Sequence, residues 1–127
     1  MKLAIAGSRS FNDFELLENK VDELRKEYAI SSLISGGAKG ADLLAEQYAA
    51  KHHLGIERIL PDWKMHSRGA GHRRNEIIVQ KCDMLIAFWD GKSKGTKHII
   101  EYAKKQNKQA YIFNYADKKP VTTERLK

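Results

Sequence analysis

Residues 83–89, DMLIAFW, consist of one acidic residue followed by an unbroken apolar run. A strand that faces water on one side alternates apolar and polar side chains, whereas a central strand of a parallel sheet is covered on both faces and is apolar throughout. We therefore predict that this run is a buried central strand of a parallel sheet.

The segments on both sides of this run alternate between strand and helix patterns. Residues 3–7, LAIAG, are a short apolar run that ends in glycine, and residues 12–28 repeat apolar side chains at helical spacing. Asn12 is predicted to cap this helix because Glu15 follows three residues later. The same patterns predict further strands at residues 31–35, 56–60 and 110–113, further helices at residues 41–52, 73–82 and 95–106, and a loop at residues 61–72.

This alternation is typical of an α/β fold, in which a five-stranded parallel sheet lies between two layers of helices. The 127 residues fit one domain. Residues 114–127 contain few apolar side chains and end in charges. We therefore assign residues 1–113 to the domain and residues 114–127 to a loose C-terminal tail.

The net charge of +7 is unevenly distributed. Residues 1–50 carry six basic and eight acidic side chains, while residues 51–127 carry seventeen basic and eight acidic ones. An excess of positive charge in one part of a chain favours an anionic partner such as nucleic acid, a nucleotide or phosphate. The alternative is a basic surface that serves only solubility.

Several classes of protein are disfavoured by the sequence. The single cysteine, Cys82, cannot form an internal disulfide, and the N-terminus leads directly into a strand without an apolar signal region. We therefore expect a cytoplasmic protein. No apolar run approaches the roughly 20 residues of a membrane helix, and the histidines lack ligand spacing, so we expect no membrane partner, no metal and no cofactor.

Three polar, glycine-rich loops follow predicted strands, at residues 7–11, 35–42 and 89–96. Ligands of parallel sheets bind beyond the carboxyl ends of the strands, and glycines before a helix allow backbone N–H groups to approach an anion. Neither the GxGxxG nor the GxxxxGK[ST] phosphate fingerprint is present. The loops nevertheless predict a shared anion site. Its candidate residues are Gly7, Ser8, Arg9, Ser35, Gly36, Gly37, Lys39, Gly40, Asp42, Trp89, Asp90, Gly91, Ser93, Gly95 and Thr96.

Asp42 can be interpreted in two ways. A carboxylate in the first helical turn competes with a phosphate for the same positive field, so it either binds ribose hydroxyls or caps its own helix. Trp89 and Trp63 follow strand ends and could stack on a base, although Trp89 could equally belong to the core.

Arg74 and Asn75 lie in the stretch GAGHRRNE, residues 69–76, near a predicted helix start. An arginine offers bidentate phosphate binding, and an asparagine can recognise a base or hydroxyl edge. We therefore add both residues to the site, while the alternative is that they are solvated helix residues.

Four of these motifs occur together in one known superfamily. GSRSF, SGGAKGAD, the stretch from DW to GAGHRRNEII, and AFWDGKSKGT resemble, in the same order, the YspA-like branch of the SLOG superfamily over residues 2–113. The resemblance implies a Rossmann-like, nucleotide-ligand-binding domain with strand order 3-2-1-4-5. It also implies a nucleotide-derived ligand such as an ADP-ribose-type molecule or a cyclic nucleotide, and a role as a signal sensor in antiviral defence. Because the predicted fold uses nearly all of the chain and leaves no output domain, a sequestering protein in counter-defence is the alternative role. Related folds often pair, which leaves a homodimer or a larger homo-oligomer open.

Two better-known relatives of that superfamily provide the alternatives. The DNA-processing protein DprA has motifs similar to GSR, SGGAKGAD and RNEII, so single-stranded DNA is a second candidate partner. LOG phosphoribohydrolases carry two catalytic glutamates where this chain has His98 and Ile99. A hydrolase of a nucleotide-derived ligand would therefore have to use Asp42, Asp90 or Glu101, and the catalytic residues remain unassigned. We favour a binding protein over an enzyme.

Overall fold

A single sheet forms the centre of the molecule in the computed structural model, which describes residues 1–66, 69–115 and 124–126. Its strands are β1 (Lys2–Gly7), β2 (Ser32–Ser35), β3 (Gly55–Arg58), β4 (Met84–Trp89), β5 (Gln109–Asn114) and β6 (Glu124–Leu126). The strand order is β3-β2-β1-β4-β5-β6, and the first five strands are parallel. The predicted Rossmann-like α/β fold with strand order 3-2-1-4-5 is thereby confirmed.

The apolar run from which the fold was predicted is β4, which lies between β1 and β5. Ile86, at its middle, pairs in register with Ile5 of β1 and Tyr111 of β5. The side chains of Met84 to Phe88 are at most 3 % exposed. Both faces of this strand are therefore covered, as a continuous apolar run requires.

The helices cover both faces of the sheet. They are α1 (Phe14–Glu27), α2 (Ala41–Lys51), α3 (Trp63–His66), α4 (Ala70–Lys81) and α5 (Lys94–Lys105). Leu17 of α1 and Tyr48 of α2 pack with Ile5 on one face, whereas Ile78 of α4 and Ile99 of α5 belong to the core on the other face. None of the helices in the described residues is both long enough and apolar enough to span a bilayer.

The cap of α1 is one residue later than predicted. Asp13, not Asn12, precedes the first helical residue, and its Oδ1 accepts a hydrogen bond of 3.0 Å from the backbone N–H of Leu16. An N-cap side chain has to reach the free N–H groups of the first turn. Because the helix begins at Phe14, Asp13 occupies that position, and the prediction of Asn12 is wrong.

The segment predicted as a loop at residues 61–72 contains helical structure. It holds the short helix α3, and α4 begins at Ala70, before the predicted start at residue 73. Ala70, which lies between two glycines, is only 1 % exposed. Burial of its side chain favours a helix start at this position, although glycines on both sides predict a loop from the sequence.

The segment predicted as a tail, residues 114–127, contributes to the sheet. Asn114 ends β5, and Glu124–Leu126 form β6, which pairs antiparallel with β5 at residues 110–112. Residues 116–123 and 127 of this segment lie outside the described residues. The antiparallel strand was not predicted from the sequence.

The chain changes direction between β1 and β4. The connections from β1 through β2 to β3 build the sheet on one side of β1, and those from β4 to β5 build it on the other. The loops that leave the carboxyl ends of β1 and β4 therefore diverge and form a crevice, which is where open α/β sheets bind ligands.

Candidate functional site

A cavity of about 440 Å³ lies in this crevice. The loops after β1, β2 and β4 form part of its wall, together with residues of α4 and the first turn of α5. The lining residues are Ala6, Gly7, Ser8, Arg9, Ser10, Gly36, Ala38, Asp42, Arg74, Asn75, Ile78, Asp90, Ser93, Gly95, Thr96 and Ile99. The three glycine-rich loops singled out in the sequence thus meet at one place.

The loop after β1 is folded back by backbone bonds and by one buried ring. The N–H of Ser8 donates to the carbonyl of Phe88 at 2.9 Å, and the N–H of Phe11 donates to the carbonyl of Ser8 at 3.1 Å. The ring of Phe11 stacks on Phe88 with 4.7 Å between centroids. This anchoring leaves Ser8 buried inside the cavity and Arg9 exposed at its rim.

The loop after β2 approaches the first loop closely at Gly40. This residue has φ +76°, and a Cβ atom there would lie 2.3 Å from the carbonyl oxygen of Ser8. Glycine is required for both reasons, since other residues rarely adopt this conformation and none would fit. Gly40 therefore sets the spacing of the two loops although it does not line the cavity.

Arg74 projects from α4 across the cavity to the loop after β2. Its Nη1 donates to the carbonyl oxygen of Gly36 at 2.7 Å, and its Nε donates to Oδ1 of Asn75 at 3.1 Å. Burial lowers the pKa of this guanidinium, and the nearby Asp42 opposes that shift. Arginine stays charged under such conditions, so the cavity contains a fixed, partly desolvated cation.

Asp42 is 8 % exposed and points back to its own loop. Its Oδ2 accepts a hydrogen bond of 3.1 Å from the backbone N–H of Ala38. Burial raises the pKa of this carboxyl, while bonds from the Ala38 and Gly36 backbone and the charge of Arg74 partly counteract the rise. The carboxyl therefore uses loop N–H groups that a phosphate would otherwise bind. These groups precede α2, whose N-cap Gly40 has no side-chain hydrogen bond, so Asp42 does not cap its own helix.

Asn75 links α4 to the start of α5. Its Oδ1 accepts from Arg74, and its Nδ2 bonds to the carbonyl oxygen of Gly95 at 3.2 Å and to Nδ1 of His98 at 3.3 Å. It is 7 % exposed. These contacts use both amide hydrogens. For Asn75 to donate to a base or hydroxyl edge of a ligand, as predicted, one of the two hydrogen bonds would have to break.

The loop after β4 is organised by Asp90. Its Oδ1 accepts from the backbone N–H groups of Lys92 at 2.8 Å and Ser93 at 2.7 Å, and its Oδ2 accepts from the Ser93 hydroxyl at 2.9 Å. Burial acts to raise the pKa of Asp90, but these hydrogen bonds outweigh it and hold the pKa below its ordinary value. The Ser93 hydroxyl also lies 2.8 Å from Ser8 Oγ, which joins this loop to the one after β1.

Most of the residues predicted for the site line the cavity. Those that do are Gly7, Ser8, Arg9, Gly36, Asp42, Arg74, Asn75, Asp90, Ser93, Gly95 and Thr96. The predicted residues Ser35, Gly37, Lys39, Gly40, Trp89 and Gly91 are not among the lining residues. The structure therefore brings together at least one predicted residue from each loop and both from α4.

Several of the predicted residues outside the cavity support its loops. Ser35 is fully buried and its carbonyl accepts from Ile59 at 2.8 Å, while Leu60 lies over Gly37. Lys39 is exposed. The indole N–H of Trp89 donates to the carbonyl oxygen of Ser93 at 3.1 Å, so the ring stabilises the loop after β4.

The cavity also contains residues that were not predicted, namely Ala6, Ser10, Ala38, Ile78 and Ile99. Helical spacing contained the signal for two of them. Ile78 follows Arg74 by four residues and Ile99 follows Thr96 by three, so each shares a helix face with a predicted residue. Trp63, the other candidate for base stacking, is 61 % exposed and is not a lining residue among those described.

The arrangement is suited to binding a polar anion. Arg74 and Arg9 supply positive charge, and the hydroxyls of Ser8, Ser93 and Thr96 supply hydrogen-bonding groups. Within residues 1–66, 69–115 and 124–126, no three His, Cys, Asp or Glu side chains converge as metal ligands. Asp42 and Asp90 are the carboxyls that line the cavity.

Comparison with known sequences gives two matches. The model of the YspA, cpYpsA-related SLOG family matches residues 1–66. The Gene 61 protein of Mycobacterium phage D29 is 31% identical over 124 residues, a match that covers 92% of this chain and 98% of the phage protein.

Comparison with solved structures finds the same fold in DNA processing protein A. The Helicobacter pylori protein, described in a study of its single-stranded DNA binding mode, superimposes with a TM-score of 0.70 at 20% identity over 89% of this chain. The Streptococcus pneumoniae protein superimposes with a TM-score of 0.72 at 18% identity over 88% of this chain. The chain spans 65% of the first of these structures and 50% of the second.

Proposed function

The chain belongs to the YspA, cpYpsA-related SLOG family, and on that basis we propose that it binds a nucleotide-derived small molecule in the cavity at the carboxyl ends of β1, β2 and β4. One observation carries the proposal. The guanidinium of Arg74 is held inside the cavity by Gly36 and Asn75, where it meets a ligand without first having to be ordered.

The anionic part of the ligand is placed beside Arg74. The bonds to Gly36 and Asn75 use two of the guanidinium N–H groups and leave the others for phosphate oxygens. Gly95 and Thr96, in the first turn of α5, line the same cavity, and backbone N–H groups at the start of a helix attract anions. A phosphate in this cavity could therefore bind both the arginine and the helix start.

The size of the cavity favours a small molecule. Its volume of about 440 Å³ falls in the range of roughly 300–1,000 Å³ typical of small-ligand sites. We propose an ADP-ribose-type molecule or a cyclic nucleotide, with the sugar hydroxyls near the polar wall that contains Ser8 and Asp42. We propose that the protein acts in the cytoplasm as a sensor or sequestering protein in antiviral defence or counter-defence. The phage origin of its relative supports this role. We also propose that the protein can form a homo-oligomer.

Single-stranded DNA is the second candidate ligand. The observation in its favour is the shared fold with DNA processing protein A, whose Helicobacter pylori form is described as binding single-stranded DNA. Exposed lysines at the start of α5, Lys94 and Lys97, and Lys92 just before it could contact a phosphate backbone. In this alternative the cavity would hold one nucleotide of the strand.

Hydrolysis of the bound molecule is a further alternative, supported by Asp42. Burial raises the pKa of this carboxyl, and a general acid needs a proton that it retains near the working pH. Cleavage of an N-glycosidic or phosphodiester bond would then use Asp42 within the same cavity.

Calorimetric titration with ADP, ADP-ribose, a cyclic nucleotide and a thymidine oligonucleotide tests the proposal. We expect a small ligand to bind with weak dependence on salt between about 50 mM and about 200 mM, whereas contacts with a strand of phosphates would make the affinity fall steeply. Binding of the oligonucleotide alone, with a steep salt dependence, would overturn the proposal in favour of DNA. Mass spectrometry of the recovered ligand separates binding from hydrolysis.

A further inference from the structure

We propose that His98 is a positioning residue, which holds Asn75, and through Asn75 the guanidinium of Arg74, in the orientation the cavity needs, and does so only while its Nδ1 carries no proton. The inference deepens the proposed function, and its ligand-binding consequence rests on that function. It follows from the chemistry of four hydrogen-bonding groups.

The side-chain amide of Asn75 has only one orientation that satisfies its neighbours. The Nε of Arg74 can only donate, so the amide atom 3.1 Å from it must be the oxygen. The carbonyl oxygen of Gly95 can only accept, so the amide atom 3.2 Å from it must be the nitrogen. Two independent partners therefore fix the amide in the same sense.

This orientation determines the protonation of His98. Its Nδ1 lies 3.3 Å from Nδ2 of Asn75, which is a donor. The Nδ1 atom must therefore accept, and the neutral ring carries its proton on Nε2. His98 does not line the cavity, so its effect on a ligand is transmitted through Asn75.

Protonation of Nδ1 would place two donors against each other. Rotation of the amide by half a turn would relieve this conflict by presenting Oδ1 to His98. The same rotation would place the amide nitrogen against the Arg74 N–H and the oxygen against the Gly95 carbonyl. Rotation therefore costs Arg74 one of its two anchors, whereas an amide that does not rotate loses the contact that His98 provides and no longer holds Arg74 as firmly.

The surroundings of His98 oppose protonation. Its ring stacks on His72 of α4 at 4.0 Å between centroids and lies 6.4 Å from Tyr102 of α5. Burial and His72 lower the pKa of His98, while Glu76 of α4 and Glu101 of α5 act in the opposite direction. Glu76 and Glu101 are themselves paired, the first with Arg73 and the second with Lys97. The network is thus intact at neutral pH and is lost as the pH falls through the folded-state pKa.

The first test needs no ligand. In the free protein, NMR follows the imidazole of His98, the side-chain amide of Asn75 and the Nε–H of Arg74 as the pH is lowered. In the natural protein we expect the Asn75 and Arg74 signals to shift with the same midpoint as those of His98. In His98→Gln this pH-dependent shift should be absent, because the glutamine amide oxygen accepts a hydrogen bond and does not titrate. Signals that stay unchanged through the titration of His98 would overturn the inference.

The second test measures the affinity for ADP at neutral and mildly acidic pH. We expect acidification to weaken ADP binding by the natural protein, because Arg74 loses one hydrogen bond that positions its charged group. The fall in affinity should be about tenfold larger than in His98→Gln, where that bond is retained. His98→Ala should bind weakly at both pH values, and His98→Gln should restore the affinity at neutral pH. His53→Asn, which removes an exposed imidazole where the left-handed backbone suits asparagine, is the matched control and should behave as the natural protein.

The two tests separate the inference from the proposed function. If ADP and the other nucleotides fail to bind at any pH while the three NMR signals titrate together, the proposed function is wrong and the positioning role is supported. If ADP binds and its pH dependence is identical in the natural protein and His98→Gln, the positioning role is overturned and the proposed function stands.

Discussion

Nη1 of Arg74 donates a hydrogen bond of 2.7 Å to the carbonyl oxygen of Gly36, 38 residues away in the sequence. This bond joins the first half of α4 to the loop after β2. The guanidinium lies so close to the loop that a Cβ atom on residue 36 would approach Nη1 to 2.4 Å. The position of the cationic group in the cavity therefore depends on a backbone carbonyl and on the absence of a side chain beside it.

Replacement of Arg74 by alanine is predicted to weaken ligand binding. The variant loses a charge-assisted contact, which is worth roughly 1.5–3 kcal/mol, so the affinity for a nucleotide should fall by about tenfold to 100-fold. Calorimetric titration with the best nucleotide of the screen measures the loss.

Arg73→Ala is the matched control for this change. Arg73 is the neighbouring residue on α4, is exposed, and pairs with Glu76 at 3.2 Å. Its removal takes away the same charge and should change the affinity by less than about twofold, because an exposed ion pair contributes little. Equal losses in the two variants would mean that net charge, and not the cavity geometry, determines binding.

Gly36→Ala is predicted to reproduce much of the Arg74 defect without altering the arginine. The new methyl group would occupy the place of Nη1 and would also come within 3.0 Å of the Asp42 carboxylate. The guanidinium must then shift, and the affinity for a nucleotide should fall by roughly tenfold, the effect of one lost hydrogen bond to a charged group. Unchanged affinity would show that the bond to Gly36 does not position Arg74 for binding.

Gly71→Ala provides the contrast for Gly36→Ala. Gly71 lies within α4, and a Cβ atom there would meet nothing within 4 Å. Alanine is the better helix former, so the free energy of unfolding should rise by about 0.5 kcal/mol, with ligand affinity unchanged. Urea unfolding followed by circular dichroism checks the stability of both glycine variants.

The sequence predicted those parts of the fold that follow from local pattern. The apolar run of β4 and the helical repeat of α1 are local signals, and the α/β alternation restricts the topology. The start of α4 at Ala70 was missed because burial by distant elements determines it. The strand β6 was missed because its pairing with β5 depends on contacts that no pattern within residues 124–126 records.

The same division applies to the candidate site. Arg74 was predicted because an arginine at a helix start is a local signal for anions. The hydrogen bonds that occupy both amide hydrogens of Asn75 were not predicted, since its partners Gly95 and His98 lie 20 and 23 residues away in the sequence. Lys39 was predicted from its glycine-rich loop, but the sequence does not show which way a side chain in such a loop points, and the structure leaves it exposed.

Cys82 is predicted to be unreactive in the folded protein. Burial raises the pKa of its thiol to about 11. The thiolate fraction is therefore roughly 100-fold lower than that of an ordinary cysteine, and burial also keeps reagents away from the sulfur. Ellman's reagent at mildly alkaline pH should therefore modify the native protein slowly and the urea-unfolded protein at once. Rapid reaction of the native protein would contradict the role of Cys82 as a buried core residue.

Asp42→Asn is predicted to stabilise the protein relative to the natural chain increasingly as the pH rises. Burial raises the folded-state pKa of Asp42 above the ordinary value near 3.8, so the unfolded chain loses its proton first. Below 3.8 both states are protonated, and as the pH rises through the folded-state pKa the natural protein loses stability that asparagine, which does not ionise, retains. Asparagine also keeps an oxygen for the N–H of Ala38.

Urea unfolding of both proteins between about pH 4 and about pH 8 measures this difference, whose sign decides which charge effect on Asp42 is larger. Desolvation favours the neutral carboxyl, whereas Arg74 favours the carboxylate. If the advantage of Asp42→Asn grows with pH, desolvation dominates; if it shrinks, the charge of Arg74 dominates and the inferred direction is wrong. Glu23→Gln is the control, because it removes an exposed carboxylate of α1 whose ion pair with Lys20, at 3.7 Å, should contribute little to stability.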